Sequence, residues 1–354
     1  MNANLYKRIL RMVLLCLLIS ACSSRTNEAP SPTPSQASGV TATQTFVPTS
    51  TPPPEPTPTT ASDLVVMLAG TQAEASLISQ TQPVLGELAT IAGLRFQMWP
   101  SLSQQDLTPE IRLVVALPPD PGLVQLVASA PQTQFLAIGI PGLEPVPNLS
   151  MIGPQGARPD EIGFLAGYIA AAVTPEWRVG VMAIGDSTAG VATREGFLNG
   201  VVFFCGLCRQ TYPPFYNYPM YVELAAGTSP ADQQAAAAVL IDKSVKTVYI
   251  APGAGDEELL SYFALNGVNI IGSDPPPPAI KGQWVASVSP TFMTSLQEAW
   301  PQLLEGRGGL NLPMTLTISD VNAGLFSPGR QLLVENFLAE LQAGYIDTGV
   351  GSPE

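Results

Sequence analysis

Residues 63–354 read as two α/β lobes, each a doubly wound parallel sheet covered by helices. Three observations predict this. Short continuous apolar runs alternate with helix-like stretches along the whole segment. The runs lack in-out alternation, which marks strands buried on both faces. A segment of about 290 residues also exceeds one hydrophobic core, so two lobes are expected.

"DLVVMLAG" (63–70) predicts the first strand and 72–92 a helix. "LRFQMW" (94–99), "IRLVVALP" (111–118), "TQFLAIGI" (133–140) and "LSMIGP" (149–154) predict further strands. The stretch 158–173 is a helix with Pro159 at its start and Asp160 and Glu161 in its first turn. A strand at 178–185 and a helix at 188–201 open a second series. Ser229, Pro230 and Asp232 mark the start of a helix over 229–241. Strands at 245–253 and 267–274 flank a helix at 256–265, and 282–289 is another strand. The last helix begins at Ser327-Pro328, ends before Gly344 and sets Leu333, Phe337 and Leu341 on one face.

The chain begins with Lys7, Arg8 and Arg11, a short apolar run and then Ile19-Ser20-Ala21-Cys22. This is an export signal over 1–22, and its end resembles a bacterial lipobox with Cys22 as the lipidated residue. Residues 23–62 are rich in Pro, Ser and Thr, and predict a disordered, partly extended tether. The formal charge is -13 and there is no histidine. Such a surface disfavours nucleic acid. Without histidine there is no Ser-His-Asp or Cys-His centre and no commonest zinc ligand. No catalytic group, metal or cofactor is expected.

"DEIGFLAGYIAAAV" (160–173), "RVGVMAIGDS" (178–187), "REGFLNGV" (194–201), "APGAGDEEL" (251–259), "IGSD" (271–274) and "VASVS" (285–289) follow in an order that resembles the basic membrane protein family. Its members are substrate-binding lipoproteins of ABC importers with a type I periplasmic-binding fold, and several bind purine nucleosides. The resemblance covers about residues 150 to 292 best. It implies a small polar, nucleoside-like solute, an ABC permease as partner, an extracytoplasmic lipid-anchored location and a monomer. It also implies three hinge crossings, with lobes at 63–153 plus 290–318 and 154–289 plus 319–354. The chain departs from the family after its first strand, where "AGTQAEASL" keeps only Glu74 of the usual acidic, Asn and Phe residues. Pro290 stands where relatives often have Lys.

Ligands of doubly wound sheets sit at strand carboxyl ends. Asp274 ends a strand there and could accept two hydroxyls, or serve only the turn before four prolines. Asp186 and Ser187 either reach the cleft or cap the next helix. Gly253 and Gly255 would expose backbone amides. Thr71, Gln72 and Trp99 are the first-lobe candidates. The aromatic stretch from Phe203 to Tyr221 either stacks a ring or pins a proline-rich loop. Gly163 and Gly167 predict close packing of a helix on a sheet. Cys205 and Cys208, in an exported chain without further zinc ligands, predict a local disulfide. The reading is a solute-binding lipoprotein rather than an enzyme. The alternatives are a ligand-sensing lipoprotein without a transporter, or a thiol-disulfide protein using Cys205 and Cys208.

Overall fold

The computed structural model describes residues 63–351. The signal, Cys22 and the tether lie outside the described residues. The strands are β1 Leu64–Leu68, β2 Arg95–Trp99, β3 Ile111–Ala116, β4 Gln134–Ile138, β5 Leu149–Ile152, β6 Val179–Ile184, β7 Met220–Leu224, β8 Thr247–Ile250, β9 Asn269–Gly272, β10 Trp284–Thr291, β11 Asn311–Leu312 and β12 Thr315–Ser319. The helices are α1 Ala75–Ile91, α2 Leu123–Ser129, α3 Pro159–Val173, α4 Thr188–Cys205, α5 Pro230–Asp242, α6 Glu257–Leu265, α7 Met293–Leu304 and α8 Pro328–Gln342.

Two six-stranded sheets result, ordered β11-β5-β4-β3-β1-β2 and β12-β10-β9-β8-β6-β7. All pairings are parallel except β10 with β12. β1 and β4 are buried along their whole length, as apolar runs without alternation require. α1 turns Thr81, Leu85 and Ala89 inward, and with Leu296 and Trp300 of α7 they cover one face of the first sheet. Leu123, Leu126 and Val127 of α2 join the core on its other face.

The second lobe is held differently. A Cβ on Gly163 or Gly167 of α3 would overlap the carbonyl oxygens of Thr193 and Phe197. One on Gly196 or Gly200 of α4 would overlap those of Asp160 and Phe164. The Gly163–Gly167 step therefore packs against a second helix, not against the sheet. The two backbones meet because neither helix carries a side chain along the seam. The conformational cost of helix glycine, about 0.5–1 kcal/mol each relative to Ala, is offset by this contact. Beside this seam Tyr168 of α3 stacks on Phe337 of α8 with ring centroids 3.8 Å apart, and both rings also meet Phe203 of α4.

Several elements differ from expectation. The buried stripe of α8 is Val334, Phe337 and Leu341, while Leu333 is exposed. α2, β7, α7, β11 and β12 were not anticipated. The last crossing falls before the expected 318: Thr315–Ser319 pair with β10, so Leu312 belongs to the first sheet and Thr315 to the second. The aromatic stretch divides. Phe203 and Phe204 are on α4, Tyr221 is on β7, and the loop between is pinned by the buried Tyr218, by Tyr216 packed against the core, and by polar groups. Arg178 donates to the carbonyl oxygens of Tyr212 and Pro213, and Glu176 accepts from the amides of Thr211 and Tyr212.

Candidate functional site

The topology brings the carboxyl ends of the two sheets together. β5 leaves the first sheet at its carboxyl end and leads through 153–158 into α3. β10 leaves the second at its carboxyl end and leads into α7, which packs in the first lobe. β11 leads into β12, whose first residue Thr315 pairs with Thr291, the last of β10. The turns that follow the strands in both lobes therefore border the region around the crossings.

In the second lobe β9 ends at Gly272, where the Trp284 ring occupies the space a Cβ would take. Beyond it, Ser273 lies 3.3 Å from the hydroxyl of Tyr249. Burial pushes that hydroxyl's pKa up to about 12, against the opposing pull of the Ser273 bond. The next residue, Asp274, is exposed. Its carbonyl oxygen lies 3.0 Å from the Ser287 hydroxyl, which is also 2.8 Å from Asp320 Oδ2. That hydroxyl can donate to one of them at a time, and it accepts from Trp284 Nε1 at 3.1 Å. Among the described residues nothing bonds the Asp274 carboxylate, so its acceptors are open.

Gly253, at φ +76°, and Gly255 form the turn after β8. Asp256 then caps α6 by accepting from the Leu259 amide at 2.9 Å. A recess of about 70 Å³ is lined by Gly253, Gly255, Ser273, Asp274 and Trp284 among others, all from the second lobe. It is smaller than the roughly 300–1,000 Å³ of ordinary ligand pockets.

The other candidates have different duties. Asp186 is not a helix cap. Its carboxylate accepts from the Ala226 amide at 3.0 and 3.1 Å, tying the turn after β6 to the turn after β7. Ser187 is the cap, accepting from the Gly190 amide at 2.9 Å. Both line a recess of about 410 Å³ with Val350 and Gly351 near the chain end. Thr71 and Gln72 are exposed in the turn after β1. Trp99 donates to Gln97 Oε1 at 2.9 Å and packs against the first-lobe core. None of these three lines the Asp274 recess.

Sequence reasoning missed the Trp284–Ser287–Asp320 network. Ser287 could have been found in "VASVS", but Asp320 joins it across 33 residues and only through β12. It also missed a cavity of about 360 Å³ at the crossings, lined by Arg158, Glu161, Asn311 and Gln342 among others. Arg158 pairs there with Asp160 and Glu161, and burial raises the Glu161 carboxyl's pKa despite that partner. Among the described residues no three His, Cys, Asp or Glu side chains group as a metal site, and no helix is long and apolar enough to cross a membrane. The Cys205 and Cys208 sulfurs are in bonding contact at the end of α4, with Cα atoms 5.0 Å apart.

No protein-family model matches the chain, and no curated protein matches its sequence. Solved structures share its fold. An ABC transporter solute-binding protein from Conexibacter woesei superposes with a TM-score of 0.56 at 18% identity, covering 81% of this chain and 98% of that one. A transcriptional activator of the comK gene from Bacillus halodurans gives 0.50 at 14% identity, over 82% and 100%. AraP, an arabinose-binding protein from Geobacillus stearothermophilus, gives 0.48 at 14%, over 78% and 99%. At such identities the first two of these establish the fold alone: two parallel-sheet lobes of the type I periplasmic-binding kind. Solute-binding proteins and transcription regulators both use it, so function has to be argued from the site.

Proposed function

We propose that this chain is an extracytoplasmic solute-binding lipoprotein of the basic membrane protein kind. It would capture a small polar solute between its lobes and deliver it to an ABC permease. The observation that carries this reading is the open Asp274 carboxylate, set beside the Gly253–Gly255 turn at the strand ends that border the crossings. A carboxylate with free acceptors suits paired hydroxyls, as on a ribose or another sugar, and the family resemblance makes a nucleoside-like solute the default. Thr71 and Gln72 would meet the solute from the first lobe on closure. Asp186 and Ser187 would shape the rim through their turn, and Trp99 would contribute only if its bond to Gln97 opens. The chain would be held by a lipid on Cys22, which an intact-mass measurement of the exported protein would reveal.

The test is to identify small molecules that co-purify with the protein and titrate the one found by calorimetry. Losing a charged hydrogen bond costs about 1.5–3 kcal/mol. Asp274→Ala should therefore weaken binding about ten- to a hundredfold while Thr71→Ala costs less. Wild-type affinity in Asp274→Ala would remove that residue from the site.

We further infer that Cys205 and Cys208 form a structural disulfide in the exported protein. The ring it closes is small, so the stabilisation is about 2 kcal/mol or less. A double Cys→Ser variant should fold, bind and melt lower. Free reaction of both thiols with a probe in the native protein would point instead to the thiol-disulfide alternative.

A further inference from the structure

We propose that the pole of the second lobe opposite its strand carboxyl ends rests on an anionic phospholipid bilayer. The parallel crossovers determine what lies at that pole. α4, α5 and α6 run from the carboxyl to the amino end of the sheet, so Cys205, Asp242 and Leu265 share the pole with the starts of β6 to β9. Large apolar side chains stand out into solvent there: Leu265 is 88% exposed, Leu207 79%, Tyr212 69% and Phe215 66%. Their backbone is held. Leu207 lies inside the Cys205–Cys208 step, and the carbonyl and amide of Tyr212 are bonded to Arg178 and Glu176.

The charge of this pole is opposite to that of the chain. The chain carries -13, yet residues 196–222 include Arg209 and no Asp or Glu. The lysines of the folded part, Lys243, Lys246 and Lys281, all lie just before β8 or β10, at the same end of the sheet. Among the described residues Arg209 and Lys246 have no ion-pair partner. Asp242 lies beside them, and Glu176 is paired with Arg178.

Exposed Tyr, Phe and Leu interspersed with Arg and Lys match the membrane–water interface. Rings and leucines enter at headgroup level, and the cations meet lipid phosphates. A protein partner would favour one contiguous apolar patch. Here the apolar groups come from helix ends and a loop, with Gln210 and Asn217 between them in sequence. The acidic remainder of the chain is repelled by an anionic leaflet, which leaves this pole as the favoured contact. It lies at the far end of the lobe from Asp274, so the candidate cleft stays open to solvent.

The test uses the unlipidated chain from Ser23 onward, which retains both complete cores. It is sedimented with vesicles of equal parts phosphatidylcholine and phosphatidylglycerol at low ionic strength. The wild-type chain should pellet with these vesicles and much less with phosphatidylcholine alone. Lys243→Gln and Lys246→Gln should each weaken binding about fivefold. Leu207→Ser with Phe215→Ser should weaken it about tenfold or more, with an unchanged far-ultraviolet dichroism spectrum. A wild-type chain that stays in the supernatant, or a Leu207→Ser, Phe215→Ser variant that pellets like wild type, overturns the proposal. So does a wild-type dimer in velocity sedimentation that this double variant abolishes, because the surface then belongs to a second copy.

Discussion

In the first lobe, helices meet the sheet through side chains: Leu85 and Ala89 of α1, Leu296 and Trp300 of α7. In the second, α3 and α4 meet each other through backbone at four glycines. The two lobes share one winding scheme and both have side-chain cores, yet only the second adds a helix–helix seam fixed by the absence of volume. A side-chain core tolerates swaps of similar size, since neighbours can repack. A backbone seam does not, because a carbonyl cannot rotate away without breaking its helix. The second lobe also carries the open Asp274 carboxylate and the Trp284–Ser287–Asp320 network, so its helix frame and its candidate site are both narrowly specified.

The sharpest way to break the comparison is Gly167→Ala. Its methyl group would overlap the Phe197 carbonyl and force the helices apart. Overpacking costs about 1–3 kcal/mol and occasionally more, and a backbone obstacle puts this case at the upper end. The expected result is a drop in melting temperature of roughly five degrees or more, or loss of soluble protein. A melting temperature unchanged within two degrees would mean that the seam is not as close as described.

A second difference is chemical. The first-lobe segments, 63–153 and 292–313, contain no tyrosine, whereas Tyr249 is fully buried in the second lobe. Folded Tyr249 keeps its proton to about pH 12, against an ordinary value of 10.0. The unfolded chain releases that proton first as pH rises, so the unfolded state gains from alkali. Stability is thus complete below about pH 10 and falls as pH climbs toward 12, by up to about 3 kcal/mol. Burial raises Tyr168 and Tyr218 in the same direction. Thermal melts from pH 8 to 11.5 should show a decline that Tyr249→Phe reduces. Equal declines in the two proteins would contradict the assignment.

The parts that the sequence made legible share a physical cause. β1, β3, β4, β6, β8 and β9 are short apolar runs because parallel strands are buried on both faces, and that pattern needs no partner to be read. β7 escaped because it is an edge strand: Tyr221 and Glu223 face solvent, and Tyr218-Pro219 before it reads as loop. α7 escaped because Pro301 interrupts its pattern, although Trp300 and Leu303 are buried. The hinge position was misjudged because β12 starts three residues after β11 ends and pairs with the other sheet, a tertiary choice invisible in so short a run. Asp274 was legible as a residue at the carboxyl end of a strand, although β9 stops at Gly272, two residues before it. The duty of Asp186 was not, because its partner, the Ala226 amide, follows a strand that had not been recognised.

The smallest expected effect repeats the first substitution in the other lobe. Gly86 lies inside α1, and a Cβ there would meet only Phe96 Cδ1 at 3.7 Å, an ordinary contact. Its φ is helical, so Ala fits without strain. Alanine also restricts the unfolded chain and favours the helix, which together stabilise by about 0.4–1 kcal/mol. Gly86→Ala should therefore raise the melting temperature by a degree or two, where Gly167→Ala lowers it sharply. The contrast isolates packing from propensity, because both are Gly→Ala changes in helix interiors and differ only in what the new methyl group meets. If Gly86→Ala were as destabilising as Gly167→Ala, the intolerance of the second lobe would not come from its backbone seam, and the distinction between the lobes would fail.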